Sequence, residues 1–340
     1  MQRLYQLDMT LAVKHGLANR SELAALEQPL VPIEEGIDLY LKEVRRPEAL
    51  GGLSPSSGDR YERALKRFCQ FLGGTSISHW NQVDRDVIDA YLDWNVDEEF
   101  APSTYRVDLG IPRQLINHLI EIRRLPESHR FKVSIEKIHQ STTYCWLPAE
   151  VMAQVEHCRS IRDLNWLADV IVGLASTGLR ISELLSLTWK DFRLDESQIV
   201  ITNESSFPVP GRSGRSRQTK SRRSRTFPIE PQLRQVLDTL GGGPSDVRVF
   251  RTAVGYDVTY QHVRGQFIRW VRTPLTARFP TPAGEPKGFV DGLFHSYRHF
   301  FCSTCANSRV PEEVVMKWLG QASVEMVRYY YHLHNAESQR

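Results

Sequence analysis

From His295 to Tyr331 the chain reads HSYRHFFCSTCANSRVPEEVVMKWLGQASVEMVRYYY, and Phe300, Val314, Val315, Trp318, Leu319 and Val327 recur within it at helical spacing. The pattern predicts consecutive short helices, with Gly320 ending the middle one and Ser323 placed to cap the next. On a helix, His295 and Arg298 lie about one turn apart on one face. The stretch closes on Tyr329, Tyr330 and Tyr331, so it brings a phenol back towards a His/Arg pair. That arrangement suits phosphoryl transfer with tyrosine as nucleophile. By itself it equally describes a solvated helix face followed by packing tyrosines.

Two further stretches decide between those readings. Thr177-Gly178-Leu179-Arg180-Ile181-Ser182-Glu183-Leu184-Leu185 follows the strongly apolar run Trp166–Leu174, which predicts a buried helix delivering Arg180 from a rigid support. Gln218-Thr219-Lys220-Ser221-Arg222-Arg223-Ser224-Arg225-Thr226-Phe227-Pro228-Ile229 leads into a strand candidate at Thr226–Ile229, and another lies at Gln198–Thr202. The order Arg, Lys, His-x-x-Arg, Leu-Gly-x-x-Ser and Tyr resembles the tyrosine recombinases, the phage-integrase and Xer-type enzymes. The resemblance covers residues 147–334 and, more loosely, 34–130.

The chain has 340 residues, enough for two domains with sizeable cores. Its net charge of +3 argues neither for nor against nucleic acid. The distribution says more, because residues 212–225 hold Arg212, Arg215, Arg217, Lys220, Arg222, Arg223 and Arg225 and no acid. That segment reads as a hairpin tip reaching a DNA groove, or as a basic loop. No run approaches the ~18–20 apolar residues of a membrane span. Lys14 and His15 interrupt the only apolar patch of the N-terminus, so no signal pattern is expected there and the expected location is cytoplasmic, nucleoid-associated when bound to DNA. Cys302-x-x-Cys305 lacks a second Cys pair or nearby Cys/His pair to complete a tetrahedral site, and reads as two small apolar residues on a buried helix. Neither metal nor cofactor is expected.

Residues 1–32 read as a lead-in, with a short helix near Ser21–Leu26. Residues 33–130 carry four amphipathic patterns: one from Ile33, one opened by Ser54-Pro55, one near Asp84, and one after Pro102-Ser103, which Pro112 is expected to kink or divide. Residues 131–146 are polar and aperiodic and read as a linker, and 147–340 as the second domain, with helices near Pro231–Leu240 and Tyr260–Val271. The fold class is therefore mostly α with a small antiparallel β-sheet. The resemblance implies a helical core-binding domain and an α+β catalytic domain that close on DNA as a C-shaped clamp. Arg60, Arg63, Lys66, Arg67, Arg106 and Arg113 are candidate phosphate contacts in the first domain.

The resemblance also implies a chemistry. Arg180 and Arg298 present planar forks to the non-bridging oxygens of a phosphodiester. His295 hydrogen-bonds the same phosphate or accepts the phenol proton. Lys220 acts as general acid to the departing 5′ oxygen, and Tyr330 attacks to form a 3′-phosphotyrosine link without ATP. Glu183, three residues after Arg180, orients an Arg or His. Tyr330 is chosen by register, since family members place the tyrosine nine residues beyond the His of Leu-Gly-His-x-Ser, and that position is occupied here by Gln321. Gln321 departs from the usual His or Trp, yet its amide can still donate to a phosphate oxygen. The expected partners are a double-stranded recombination site and further copies of this chain, monomer or dimer when free and tetramer in the synapse. A DNA-binding relative without catalysis and a type IB topoisomerase stand as alternatives.

Overall fold

The computed structural model describes residues 11–16, 29–132, 143–202, 224–320 and 327–331. The expected helix at 21–26, the basic residues Arg212, Arg215, Arg217, Lys220, Arg222 and Arg223, and Gln321 and Ser323 lie outside the described residues. The chain divides into two compact units, Met1–Gln140 and Ser141–Arg340. It is mostly helical with one small antiparallel sheet.

The first unit packs α1 (Ile33–Val44), α2 (Pro55–Leu72), α3 (Arg85–Asp97) and α4 (Pro102–Glu121) around one apolar core. The starts of α2 and α3 follow from local chemistry. Ser54 accepts from the Ser57 N–H with Pro55 in the first turn, and Asp84 accepts from the Val87 N–H at 3.1 Å. Trp80 is fully buried, stacks on Phe68 with ring centroids 5.7 Å apart, and donates its indole N–H to the Ile33 carbonyl at 3.0 Å. Gly36 faces that ring so closely that a Cβ there would lie 2.3 Å from it.

Of the kink or division expected at Pro112 the division is absent, and one expectation about Arg67 fails. Pro112 does not divide α4, which runs unbroken from Pro102 to Glu121. An internal proline costs about 3 kcal/mol, but Leu109, Ile111, Leu115, Ile116 and Leu119 are buried on both sides of it, each stabilising by roughly 1.5–3 kcal/mol. Packing therefore outweighs the lost helix bond. Arg67 is not available as a phosphate contact in this arrangement. It holds the fully buried Asp108 through two bonds at 2.5 Å. Arg60, Arg63 and Arg106 are exposed, and Lys66 pairs with Glu62 at 3.0 Å.

In the second unit, α5 (Pro148–Ser160), α6 (Asn165–Thr177), α7 (Ile181–Leu185), α8 (Pro231–Leu240), α9 (Tyr260–Phe267), α10 (Phe294–Asn307) and α11 (Glu312–Leu319) surround a core with α6 at its centre. Helix α9 continues as a π turn over Ile268–Arg272. The sheet has the order β1 (Phe192–Arg193), β2 (Gln198–Ile201), β3 (Arg225–Pro228), all antiparallel, with Ile199 opposite Phe227 and Ile201 opposite Arg225. Trp146, Phe267, Phe289 and Tyr297 form an aromatic cluster, with Trp146 5.0 Å from Phe289 and 5.7 Å from Tyr297. Tyr144 donates to Glu150 at 2.7 Å, which fixes the segment leading into α5. Among the described residues, no helix is long and apolar enough to cross a membrane.

Candidate active site

Helix α6 ends at Thr177, and Gly178 adopts φ 60° as its cap. A side chain would be strained there and would also meet the Phe301 ring at 2.6 Å. The turn exposes the Gly178 carbonyl, which accepts from Arg298 Nη1 at 2.8 Å, while Arg298 Nη2 donates to the Leu319 carbonyl at 2.8 Å. A single guanidinium on α10, 1% exposed, thus ties the cap of α6 to the last residue of α11. Burial, with Arg180 beside it, lowers its pKa to about 10, so it stays charged at neutral pH.

Arg180 follows directly as the N-cap of α7. Its backbone N–H donates to Glu183 Oε2 at 3.0 Å and its Nη1 to Oε1 at 3.4 Å. The same Oε2 accepts from Arg225 Nη2 at 2.9 Å. Burial alone would push the Glu183 carboxyl up, but the Arg225 charge, the Arg180 N–H and the Arg180 charge hold it below the usual range.

This overturns the expectation that Arg225 is a solvent-facing phosphate contact. Residues 225–228 alternate inward and outward, so the two-residue period that buries Phe227 also turns Arg225 inward, 6% exposed at the side chain. Its Nε and Nη1 have no hydrogen-bond partner among the described residues. Arg180, Arg225 and Arg298 therefore surround one carboxylate, a cluster with two positive charges in excess.

Glu183→Gln leaves Arg225 buried without its counter-charge. The expected loss is about 3–5 kcal/mol, as for other broken buried pairs, read from denaturant midpoints at neutral pH. A carboxyl held below its ordinary pKa contributes stability that is present above that value and lost as pH falls through the folded one. The parent is thus expected to lose stability on acidification below the ordinary carboxyl range, and the Gln variant to show a flatter acid limb.

Sequence reasoning placed His295 and Arg298 on one face of a helix. Both lie on α10, where Arg298 points into the core and His295 is exposed at its start. The group that meets the tyrosine is one that the His-x-x-Arg pattern does not single out. His299 Nδ1 lies 3.0 Å from the Tyr330 hydroxyl, and its ring stands edge-on to that of His295 at 5.1 Å. The signal was present, because His299 is four residues beyond His295 and so on the same face. Burial, then His295 and Arg298, lower its pKa to about 4.

Residues 327–331 are helical. Tyr330 is half-buried, Tyr329 is exposed, and the Tyr331 hydroxyl donates to the Val310 carbonyl. Burial, with the Cys145 thiol beside it, pushes the Tyr330 phenol well above its usual range. Cys302 and Cys305 are buried against Val315, Leu319 and Val327, and burial raises both thiols to about 12, so they behave as apolar residues. Among the described residues, no group of three or more His, Cys, Asp or Glu could hold a metal ion.

Residues 149–337 match the phage integrase family, and residues 37–121 match the phage integrase N-terminal SAM-like domain. The chain is 24% identical to tyrosine recombinase XerD of Pseudomonas aeruginosa over 325 residues, covering 93% of this chain and 97% of that protein. It is 24% identical to tyrosine recombinase XerC of Roseiflexus castenholzii over 314 residues, covering 90% and 91%. A lambda integrase dimer bound to a COC′ core site superposes with a TM-score of 0.68 at 14% identity, over 95% of this chain and 84% of that one. The Tn1549 transposon integrase in complex with a circular intermediate DNA gives 0.65 at 17%, over 89% and 95%. These solved structures share its fold. The family match runs through Arg180, Glu183, His295, Arg298 and Tyr330, and the chain belongs to the phage integrase family of tyrosine recombinases.

Proposed function

We propose that this chain cuts and rejoins double-stranded DNA at a specific site through a 3′-phosphotyrosine link to Tyr330. One observation carries the reading: the Tyr330 phenol is held against His299 of the helix that bears Arg298, and Arg298 belongs to a cluster of three guanidiniums and one carboxylate. A phosphodiester resists attack because its oxygens repel nucleophiles and its alkoxide leaves poorly. Arg180 and Arg298 supply positive charge where the non-bridging oxygens gain it, and Glu183 keeps Arg180 in place. His295 and the Gln321 amide donate to the same phosphate. Lys220 protonates the departing 5′ oxygen, and Arg212, Arg215, Arg217, Arg222 and Arg223 hold flanking phosphates. The phosphotyrosine conserves the bond energy, so a second strand's 5′ hydroxyl can reverse the step without ATP. A lambda integrase tetramer has been seen bound to a Holliday junction, and a tetramer on paired sites, acting on nucleoid DNA, is the assembly we propose here.

The test uses a duplex selected by this protein from a random-sequence DNA pool, nicked so that cleavage traps the adduct. A covalent adduct that survives denaturation is expected, and its absence would leave a DNA-binding protein only. Lys220→Ala is expected to bind that duplex with nearly unchanged affinity and to cleave it about 10²–10⁴-fold more slowly, the usual worth of a general acid. A 5′-sulfur leaving group needs no proton and is expected to restore the rate. No rescue would rule out this role for Lys220.

A further inference from the structure

The residue after Arg298 has no role in the reaction as set out above. We infer that His299 is a catalytic residue that takes the phenolic proton of Tyr330 as the phosphotyrosine bond forms.

The geometry is that of a base already on its acid. Nδ1 lies 3.0 Å from the Tyr330 hydroxyl, within the reach required for direct proton transfer. The rings meet edge-on with centroids 5.7 Å apart. The hydroxyl of Tyr331, bound to the Val310 carbonyl, pins the short helix and so fixes where Tyr330 points. Of the two imidazoles on this face of α10, His299 makes this hydrogen bond, whereas His295 lies a turn further towards the helix start.

The charges around His299 suit a base that stays idle until DNA arrives. The groups facing it are His295 and Arg298 on its own helix and Tyr330 opposite, with Cys145 against the phenol from the segment before α5. Burial and the two neighbouring bases keep the ring neutral at pH 7, so with the proton on Nε2 the Nδ1 lone pair faces the phenol O–H. A phosphodiester brought beside Arg180 and Arg298 adds negative charge, which favours the imidazolium form of His299 and so its acceptance of the proton, while bond formation to phosphorus draws the developing charge off the phenol oxygen. The step balances. The Oη–H proton passes to Nδ1, the Oη–P bond forms, the P–O5′ bond breaks, and the 5′ oxygen takes its proton from Lys220. Rejoining runs the same transfers backwards.

The inference rests on the proposed strand cleavage, and the test separates the two. His299→Ala and His299→Asn are compared with the parent in single-turnover adduct formation on the nicked selected duplex. Asn retains a hydrogen-bond acceptor near the Nδ1 position but cannot carry the proton. Both variants are expected to bind the duplex as the parent does and to form adduct about 10²–10³-fold more slowly near pH 7. Their rates are expected to climb about tenfold per pH unit as solvent base takes over, while the parent's stays flat. Added imidazole is expected to speed the Ala variant. A parent that forms no adduct overturns the cleavage reading and this inference with it. A parent that cleaves while either variant matches its rate, or its pH profile, overturns the inference alone. If only the Asn variant cleaves normally, His299 positions Tyr330 and does not take its proton.

Discussion

Tyr330→Phe is expected to form no covalent adduct with the selected duplex while binding it as tightly as the parent. The substitution removes one oxygen. The ring keeps its edge contacts with Tyr329 at 5.2 Å and with His299 at 5.7 Å, so the helix at 327–331 has no reason to move. The lost hydrogen bond to His299 is worth about 0.5–1.5 kcal/mol of stability, too little to unfold a domain of this size. Cleavage, by contrast, loses the hydroxyl that lies against that imidazole. Tyr329→Phe and Tyr331→Phe are the controls, and they are expected to differ from one another. Tyr329 is exposed and its loss changes little. Tyr331 loses its bond to the Val310 carbonyl, which loosens the short helix and slows cleavage without abolishing it. Peptide mapping of the parent adduct gives the decisive result. A link at Tyr329 or Tyr331 would falsify the register of nine residues counted from Gln321.

The same residues show how far a sequence can be read. Helices α2 and α3 were legible because Ser54-Pro55 and Asp84 act through local bonds that any chain would make. The buried α6 was legible from its uniform apolarity, and the turn after it from Gly178. The errors arose where a long-range partner decided the outcome. Pro112 is a helix breaker by local rules, and only the apolar residues packed on both sides of it keep α4 whole. Arg67 and Arg225 looked like exposed phosphate contacts, because no local signal announces Asp108 forty-one residues from Arg67 or Glu183 forty-two from Arg225. For Arg225 the two-residue alternation with Phe227 was nonetheless in the sequence, obscured by the basic segment before it. His299 lies outside the His-x-x-Arg pattern, although helical geometry places it four positions from His295 and on the same face.

Arg298 gives the second large effect, and it tests whether one side chain serves both fold and chemistry. Its guanidinium satisfies the carbonyls of Gly178 and Leu319 at once, and both lie where water does not reach the arginine. Arg298→Ala strands both acceptors. At about 1–3 kcal/mol for each unmet group, the expected loss is roughly 2–5 kcal/mol, read from denaturant midpoints. Removing a charged donor to the developing oxyanion is expected to cost a further 10²–10³-fold or more in cleavage per folded molecule. Arg298→Lys separates the contributions, because an ammonium keeps the charge but cannot present a planar fork to two carbonyls and a phosphate together. It is expected to recover part of the stability and little of the rate. Gly178→Ala supplies the complementary case. It strains the cap and crowds Phe301 while leaving every charge in place, so it is expected to lower stability with a smaller loss of cleavage. If Arg298→Lys cleaves within about threefold of the parent, the fork geometry is irrelevant to the chemistry. If Gly178→Ala loses as much rate as Arg298→Ala, the arginine acts by clipping α6 to α11, and the phosphate must draw its charge from Arg180 and Lys220.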